Sequence, residues 1–255
     1  MDILKVGLIL ATGIMAGFMN TIGGGGSLFT LPMLIFLGLP AAAANGTNRV
    51  ALIIQGIVGV SNFRRKGVFY PKLSILFSIP AILGSLLGAR FAVSIPEELF
   101  KRILGIVMII ILIIIITRPE RHFVKPLNGE KLSTSRLMVS LLVFFGVGFY
   151  GGFIQAGVGF IIIVCLTLIT GMSLVKINSI KLFIILIYIL FSFPIFILNC
   201  EIDWVLGMTL AVGNSIGAYI GSNIAVSKGD KWVRVFLIGA LLLMSANLMG
   251  IFKMG

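Results

Sequence analysis

Carboxylates are missing from every apolar stretch of this chain. Its eight acidic residues (Asp2, Glu97, Glu98, Glu120, Glu130, Glu201, Asp203 and Asp230) all fall at segment ends or in connections. The one histidine, His122, lies in a polar stretch, and Cys165 and Cys200 share no motif. General acid–base catalysis needs a positioned titratable group, and nucleophilic catalysis needs a base beside the nucleophile. Neither set can be assembled from these residues, and no His/Cys/Asp cluster has metal-ligand spacing. The expectation is therefore not an enzyme, with no cofactor and no metal. Intramembrane carboxylates, which serve proton relays and ion sites in transporters, are absent too. Charge of any kind is scarce: 11% of the 255 residues, against about 25% in ordinary soluble domains.

What the chain has instead is apolar length. Hydrophobic residues make up 59% and the mean hydropathy is +1.17. The segment 103–116 holds only Gly105 and Met108 among aliphatic residues. This reads as an all-α, polytopic helical membrane protein. The net charge of +12 sits in loops and helix ends, as the positive-inside rule requires of cytoplasmic connections. The partner it implies is the lipid bilayer and not nucleic acid. The first twenty residues have the Lys5-plus-apolar look of a signal peptide. No small-x-small site precedes a polar start, so a retained first helix is expected.

Sliding the sequence against itself by 133 residues aligns Gly24 and Gly26 with Gly157 and Gly159, Gly38 with Gly171, and Asn45 with Asn178. Phe63 meets Phe196, Gly84 and Gly88 meet Gly217 and Gly221, and Ala92-Val-Ser94 meets Ala225-Val-Ser227. The reading is internal duplication: a first repeat over 1–117, a cytoplasmic linker over 118–135, and a second repeat over 136–255. Five apolar segments are expected in each half, at roughly 4–21, 27–39, 44–63, 71–94 and 99–117, then 136–152, 158–171, 177–198, 203–226 and 231–251. The first two of each half fall short of the roughly 20 residues of a full span. They are either tilted spans or half-helices meeting near the midplane.

Loop charge bears on orientation. Arg64, Arg65, Lys66 and Lys72 follow the third segment, whereas the equivalent loop of the second half carries Glu201 and Asp203. Opposite charge at equivalent loops is the pattern of inverted repeats, with ten segments and both termini outside. If one member of each short pair does not cross, the count is eight and the halves are parallel.

The break between the first two segments is Asn20-Thr-Ile-Gly-Gly-Gly-Gly-Ser27. Four glycines in a row stop a helix at about 1 kcal/mol each relative to alanine. In lipid a stopped helix is permitted only where protein or a water-filled cavity satisfies its backbone. The break is therefore a candidate substrate site, with helix N-termini offering N–H groups and a positive dipole end to an anion. The candidate lining is Gly23, Gly24, Gly25, Gly26, Ser27, Thr47, Asn48, Arg49 and Gln55, with Gln155, Gly157, Asn178, Ser179 and Lys181 from the second half. Arg49 and Lys181 stand one residue apart in the repeat register, four residues into their segments. Without acidic partners, they suit an anionic ligand or else snorkel to the interface. Asn45, Thr47, Asn178 and Ser179 are alternatively helix N-caps. Gly84/Gly88 and Gly217/Gly221, four apart, suit close helix packing.

Gly23-Gly-Gly-Gly-Ser-Leu-Phe-Thr-Leu-Pro-Met-Leu34, Gly38-Leu-Pro40, Ala44-Asn-Gly-Thr-Asn-Arg-Val-Ala51 and the basic turn Phe63-Arg-Arg-Lys-Gly67 together resemble the first repeat of the sulfite exporter TauE/SafE family, also called toluene-sulfonate uptake permeases. Gly151-Gly-Phe-Ile-Gln-Ala-Gly-Val-Gly159 and Lys176-Ile-Asn-Ser-Ile-Lys181 resemble a diverged second copy, with Ala156-Gly-Val-Gly159 for the glycine run and Cys165 for a proline. The resemblance implies a secondary transporter of sulfite, sulfonates or related small sulfur-containing or organic anions at the cytoplasmic membrane. With no intramembrane acid for coupling, export driven by the inside-negative potential is the simpler direction. The alternative is a membrane-embedded interaction or assembly subunit without transport. No oligomeric state follows from the sequence.

Overall fold

The computed structural model describes residues 3–117 and 134–248, and apart from short connections the structure there is helical. Nine helices follow in order among the described residues: α1 (Ile3–Ile22), α2 (Ser27–Phe36), α3 (Ala41–Arg65), α4 (Pro71–Ser94), α5 (Glu97–Thr117), α6 (Thr134–Phe153), α7 (Val158–Thr170), α8 (Leu174–Asn199) and α9 (Trp204–Leu248). α9 is interrupted at Gly229 (φ 71°, ψ −170°), between the two last expected segments. The expected linker 118–135 lies outside the described residues except for its last two, which already belong to α6. Positions 249–251 of the last segment lie outside them as well.

Among the described residues four helical stretches are long and apolar enough to cross a bilayer: Lys5–Ile22, Pro71–Ser94, Leu174–Asn199 and Trp204–Gly229. α4 has the inside-out pattern that lipid selects. Its row Ile75, Ile79, Leu83 and Leu87 is about half exposed, while Ser74, Ser78, Ala81, Ser85 and Ala89 are buried. In a bilayer the outer face needs no polar groups, and helix contact comes from small residues that let backbones approach. A Cβ on Gly84 would come within 2.0 Å of the Phe145 carbonyl oxygen, and one on Gly148 within 2.1 Å of the Ala81 oxygen. The same close fit joins α1 to α9 through Gly17 against Asn214 and Gly217 against Ile14. The glycine pairs expected to pack do so, and Gly221 sits more loosely, 3.2 Å from the Phe18 oxygen.

These contacts establish helix direction. α3 and α9 run parallel, since Thr47 meets Asp203, Gln55 meets Asn214 and Asn62 meets Ser222. α4 runs parallel to α6, with Ala81 near Gly148 and Ser85 near Gly152, and to α8, with Tyr70 near Lys176 and Ser85 near Tyr188. α3 and α8, which correspond at the 133-residue offset, run antiparallel: Gly46 packs on Phe196, Gly56 on Leu186 and Gly59 on Leu182.

Two helix starts differ from the sequence expectation. α3 begins at Ala41, after Pro40 at its N-cap, and α8 begins at Leu174, after Ser173. Alanine is the best helix former, so 41–44 extend the helix upstream of Asn45. Arg49 and Lys181 consequently sit about two turns inside their helices. Asn45, Thr47, Asn178 and Ser179 are interior residues and not N-caps.

Candidate functional site

The two interruptions foreseen in the sequence are present and they touch. α1 closes with the Gly23 and Gly24 N–H groups donating to the Met19 oxygen (2.6 and 2.8 Å), and Gly24 turns left-handed at φ +89°. α6 closes with Ile154 and Gln155 donating to the Tyr150 oxygen (2.9 and 3.4 Å). Gly157, the repeat counterpart of Gly24, is also left-handed at φ 73°. Gly38 and Gly171, again counterparts, are left-handed at φ 98° and 60° where α2 and α7 end. A Cβ on Gly24 would lie 2.4 Å from Gly159 backbone, and one on Gly159 would lie 2.3 Å from Gly24. Glycine is required at the crossing by conformation and by contact together.

Gln155 is the one non-glycine with positive φ (68°) among the described residues. Such a backbone costs on the order of 1–3 kcal/mol and persists where its surroundings hold it. Here the Tyr188 hydroxyl donates to Gln155 Oε1 (2.7 Å), while the Tyr150 hydroxyl donates to the carbonyl of neighbouring Ala156.

Arg49 and Lys181 are both 0% exposed, so neither snorkels. Each serves the broken helix of the other half. Arg49 Nη2 donates to the Gly151 and Gly152 oxygens (3.1 and 2.6 Å) at the C-terminal end of α6. Its Nη1 donates to Ser192 Oγ (2.9 Å), and its guanidinium lies 4.3 Å from the centre of the Phe196 ring. Lys181 Nζ donates to the Thr21 oxygen at the end of α1 (3.1 Å) and to Asn178 Oδ1 (2.6 Å). The last carbonyls of a helix have no intrahelical donor and carry its negative dipole end. A cation placed there satisfies both, and Asn45 adds a further donor to the Phe153 oxygen (2.7 Å). This reciprocal capping was missed in the sequence. Its signal is two cations at matched positions, each on a helix long enough to reach the opposite break.

Between the breaks lies a narrow cavity whose free space is about that of one water molecule. It is lined by Asn20, Gly24, Ser27, Leu52, Gln55, Gly56, Gln155, Val158, Leu182 and Ile185. Of the residues expected to line a site, the structure brings Gly24, Ser27, Gln55 and Gln155 here. Gly23, Gly25, Gly26 and Gly157 complete the breaks without lining it. Thr47 accepts from the Asp203 N–H (3.1 Å), and Asn48 Oδ1 accepts from Thr30 (2.8 Å). Arg49, Asn178, Ser179 and Lys181 stand behind the wall. Asn20 and Asn214 were not among the expected residues. Both donate to Gln55 Oε1 (3.2 and 3.1 Å) and tie α1, α3 and α9 together. Four buried donors at expected positions have no protein partner: Asn48 Nδ2, Arg49 Nε, Asn178 Nδ2 and Ser179 Oγ. Among the described residues the buried polar groups include no carboxylate, and no three His, Cys, Asp or Glu groups cluster.

Comparison with known proteins gives the chain's relations. The family described as "Sulfite exporter TauE/SafE" matches over residues 9–248. A "Probable membrane transporter protein" of Haemophilus influenzae is 30% identical over 94% of this chain and 93% of its own length. "Probable membrane transporter protein YfcA" of Escherichia coli K12 is 27% identical over 96% and 90%. "Probable membrane transporter protein YjnA" of Bacillus subtilis is 24% identical over 95% and 98%. No solved structure matches.

Proposed function

The chain belongs to the sulfite exporter TauE/SafE family, a multi-pass membrane transporter family, and from that premise we propose that it moves a small anion outward across the cytoplasmic membrane. The anion is sulfite, a sulfonate or a related small sulfur-containing or organic anion. Its path runs through the crossing of the two helix breaks, with two inverted repeats of five segments on either side. One observation carries the reading. Two interrupted helices meet at Gly24 and Gly159 around buried polar groups that include cations and no carboxylate. Such a site has no carboxylate to offer a cation and several donors for a negative charge. The partnerless donors of Asn48, Arg49, Asn178 and Ser179 support it further. A buried unsatisfied donor costs about 1–3 kcal/mol, so another arrangement of the helices, or an anion, has energy to recover there.

The antiparallel course of α3 and α8 supports inversion, because parallel halves would run them in the same direction. The charges support the same orientation: Arg64, Arg65, Lys66 and Lys72 gather where α3 ends, and Asp203 lies beside Thr47 near where α3 begins. The basic end then faces the cytoplasm.

One negative charge leaving an inside-negative cell gains about 2.3 kcal/mol per 100 mV, a gradient of roughly 50-fold. The test is sulfite or sulfonate flux from liposomes holding the purified protein, with an imposed potential. Efflux should rise with a negative interior. Flux that ignores voltage would defeat electrogenic export, and absence of any anion flux would defeat the anion reading.

A further inference from the structure

The cavity between the breaks has no cation in its wall. Arg49 and Lys181 are spent on the carbonyl ends of α6 and α1. What faces the space is neutral, and the hydrogen bonds show which atoms are left to use. Gln55 Oε1 already accepts from Asn20 and Asn214, and Gln155 Oε1 already accepts from Tyr188. Each glutamine is therefore left with its amide N–H groups. Ser27, 2% exposed like the two glutamines, makes no side-chain hydrogen bond and also lines the cavity. Ser27 and Val158 open α2 and α7; the Leu28, Phe29 and Thr30 N–H groups donate to the Gly25 and Gly26 oxygens and those of Val158 and Phe160 to the Gln155 and Gly157 oxygens, so these helix ends bring their positive dipoles to the space.

We propose that this space, which holds about one water as the helices stand, widens between the breaks into a cation-free cradle for a dehydrated, singly charged oxyanion. The Gln55 and Gln155 amides and the Ser27 hydroxyl take its oxygens, beside the positive dipole ends of α2 and α7. The inference rests on the anion-transport reading and adds to it a charge state and a mode of recognition. Neutral donors and helix dipoles balance about one charge between them, since each helix end contributes roughly half. A second negative charge would be buried without a partner, which is costly. The cradle selects monovalent over divalent anions of the same shape. Arg49 and Lys181 act as positioning residues that hold the breaks facing each other.

The experiment measures binding by purified full-length protein, together with liposome flux. The probes are methanesulfonate and hydrogensulfite, each carrying one charge in acidic buffer, and sulfate carrying two. Gln55→Glu and Gln155→Glu keep the acceptor oxygens that Asn20, Asn214 and Tyr188 use, and exchange the free N–H donors for a charged oxygen that repels an anion. Ser27→Ala removes a hydroxyl that bonds to nothing, so it leaves the fold intact. The parent should bind a monovalent probe with sulfate at least about 10-fold weaker. Ser27→Ala should weaken it about 5- to 10-fold, and either glutamate about 30-fold or more. The cradle is overturned, with transport left standing, if parent and variants bind and move anions equally. It is overturned likewise if sulfate binds as tightly as the monovalent probes. If the parent neither binds nor moves any of the three, the transport reading falls and takes the cradle with it.

Discussion

Gly24 and Gly159 touch backbone to backbone, each leaving less than 2.5 Å for a methyl group on the other. Alanine at Gly24 meets both this contact and a φ of +89°, so Gly24→Ala should cost about 3 kcal/mol or more. Gly159→Ala meets the contact alone and should cost about 1–3 kcal/mol. Gly38→Ala, left-handed at φ +98° but with open space around it, should cost about 1 kcal/mol. Gly105→Ala, helical and unobstructed, should be neutral or slightly stabilising. Thermal unfolding in detergent ranks the four. A Gly24→Ala protein as stable as Gly105→Ala would rule out the crossing of the breaks.

The reciprocal caps predict paired losses. Arg49→Met removes three donor contacts to Ser192, Gly151 and Gly152, and Lys181→Met removes contacts to Thr21 and Asn178. Interhelical hydrogen bonds in membranes average well under 2 kcal/mol, so each variant should lose about 1–3 kcal/mol of stability. Arg49→Lys keeps the charge and loses the fork, and should fall between parent and methionine. Hydrogen exchange gives the specific signature, with faster exchange at the end of α6 for Arg49→Met and of α1 for Lys181→Met.

The glycine run and the short second segments, α2 and α7, were legible because glycine acts locally, whereas the first segment of each half, expected to be short, runs 20 residues. Glycine stops a helix wherever it stands, and its left-handed φ recurs at Gly24/Gly157 and Gly38/Gly171. Gly84 and Gly217 also announced packing faces. Their partners on α6 and α1 were not legible, since those contacts span dozens of residues and any small-residue face would do. Arg49 and Lys181 stood out as isolated cations, and the absence of carboxylates suggested an anion as their counterpart. Their actual acceptors are main-chain carbonyls, which no side-chain pattern announces. Asn20 and Asn214 were hidden for a related reason. A lone asparagine in an apolar helix acquires meaning only from the glutamine it meets.

Gln155 separates backbone strain from side-chain function. Gln155→Gly relieves the left-handed backbone but gives up the bond from Tyr188, so its stability should stay within about 1 kcal/mol of the parent. Gln155→Ala keeps the strain and loses the same bond, and should be about 1 kcal/mol less stable than Gln155→Gly. Both should lose anion flux. Flux retained by Gln155→Gly would remove the amide from the transport path.

Orientation gives a prediction that depends on no substrate. α3 and α8 run antiparallel, so if both cross the membrane the loop after each opens on opposite sides. The first loop holds Lys66 and the second Glu201. With Cys165 and Cys200 replaced by serine, Lys66→Cys and Glu201→Cys each offer one thiol. An impermeant maleimide applied to intact cells should label Glu201→Cys within minutes and reach Lys66→Cys only after the membrane is opened. The expectation for Lys66 rests on the basic turn, because each Lys or Arg near a segment end opposes translocation. Labelling of both thiols from the same side would mean that α3 and α8 do not both cross the membrane as an antiparallel pair, and the inverted arrangement would fall with it.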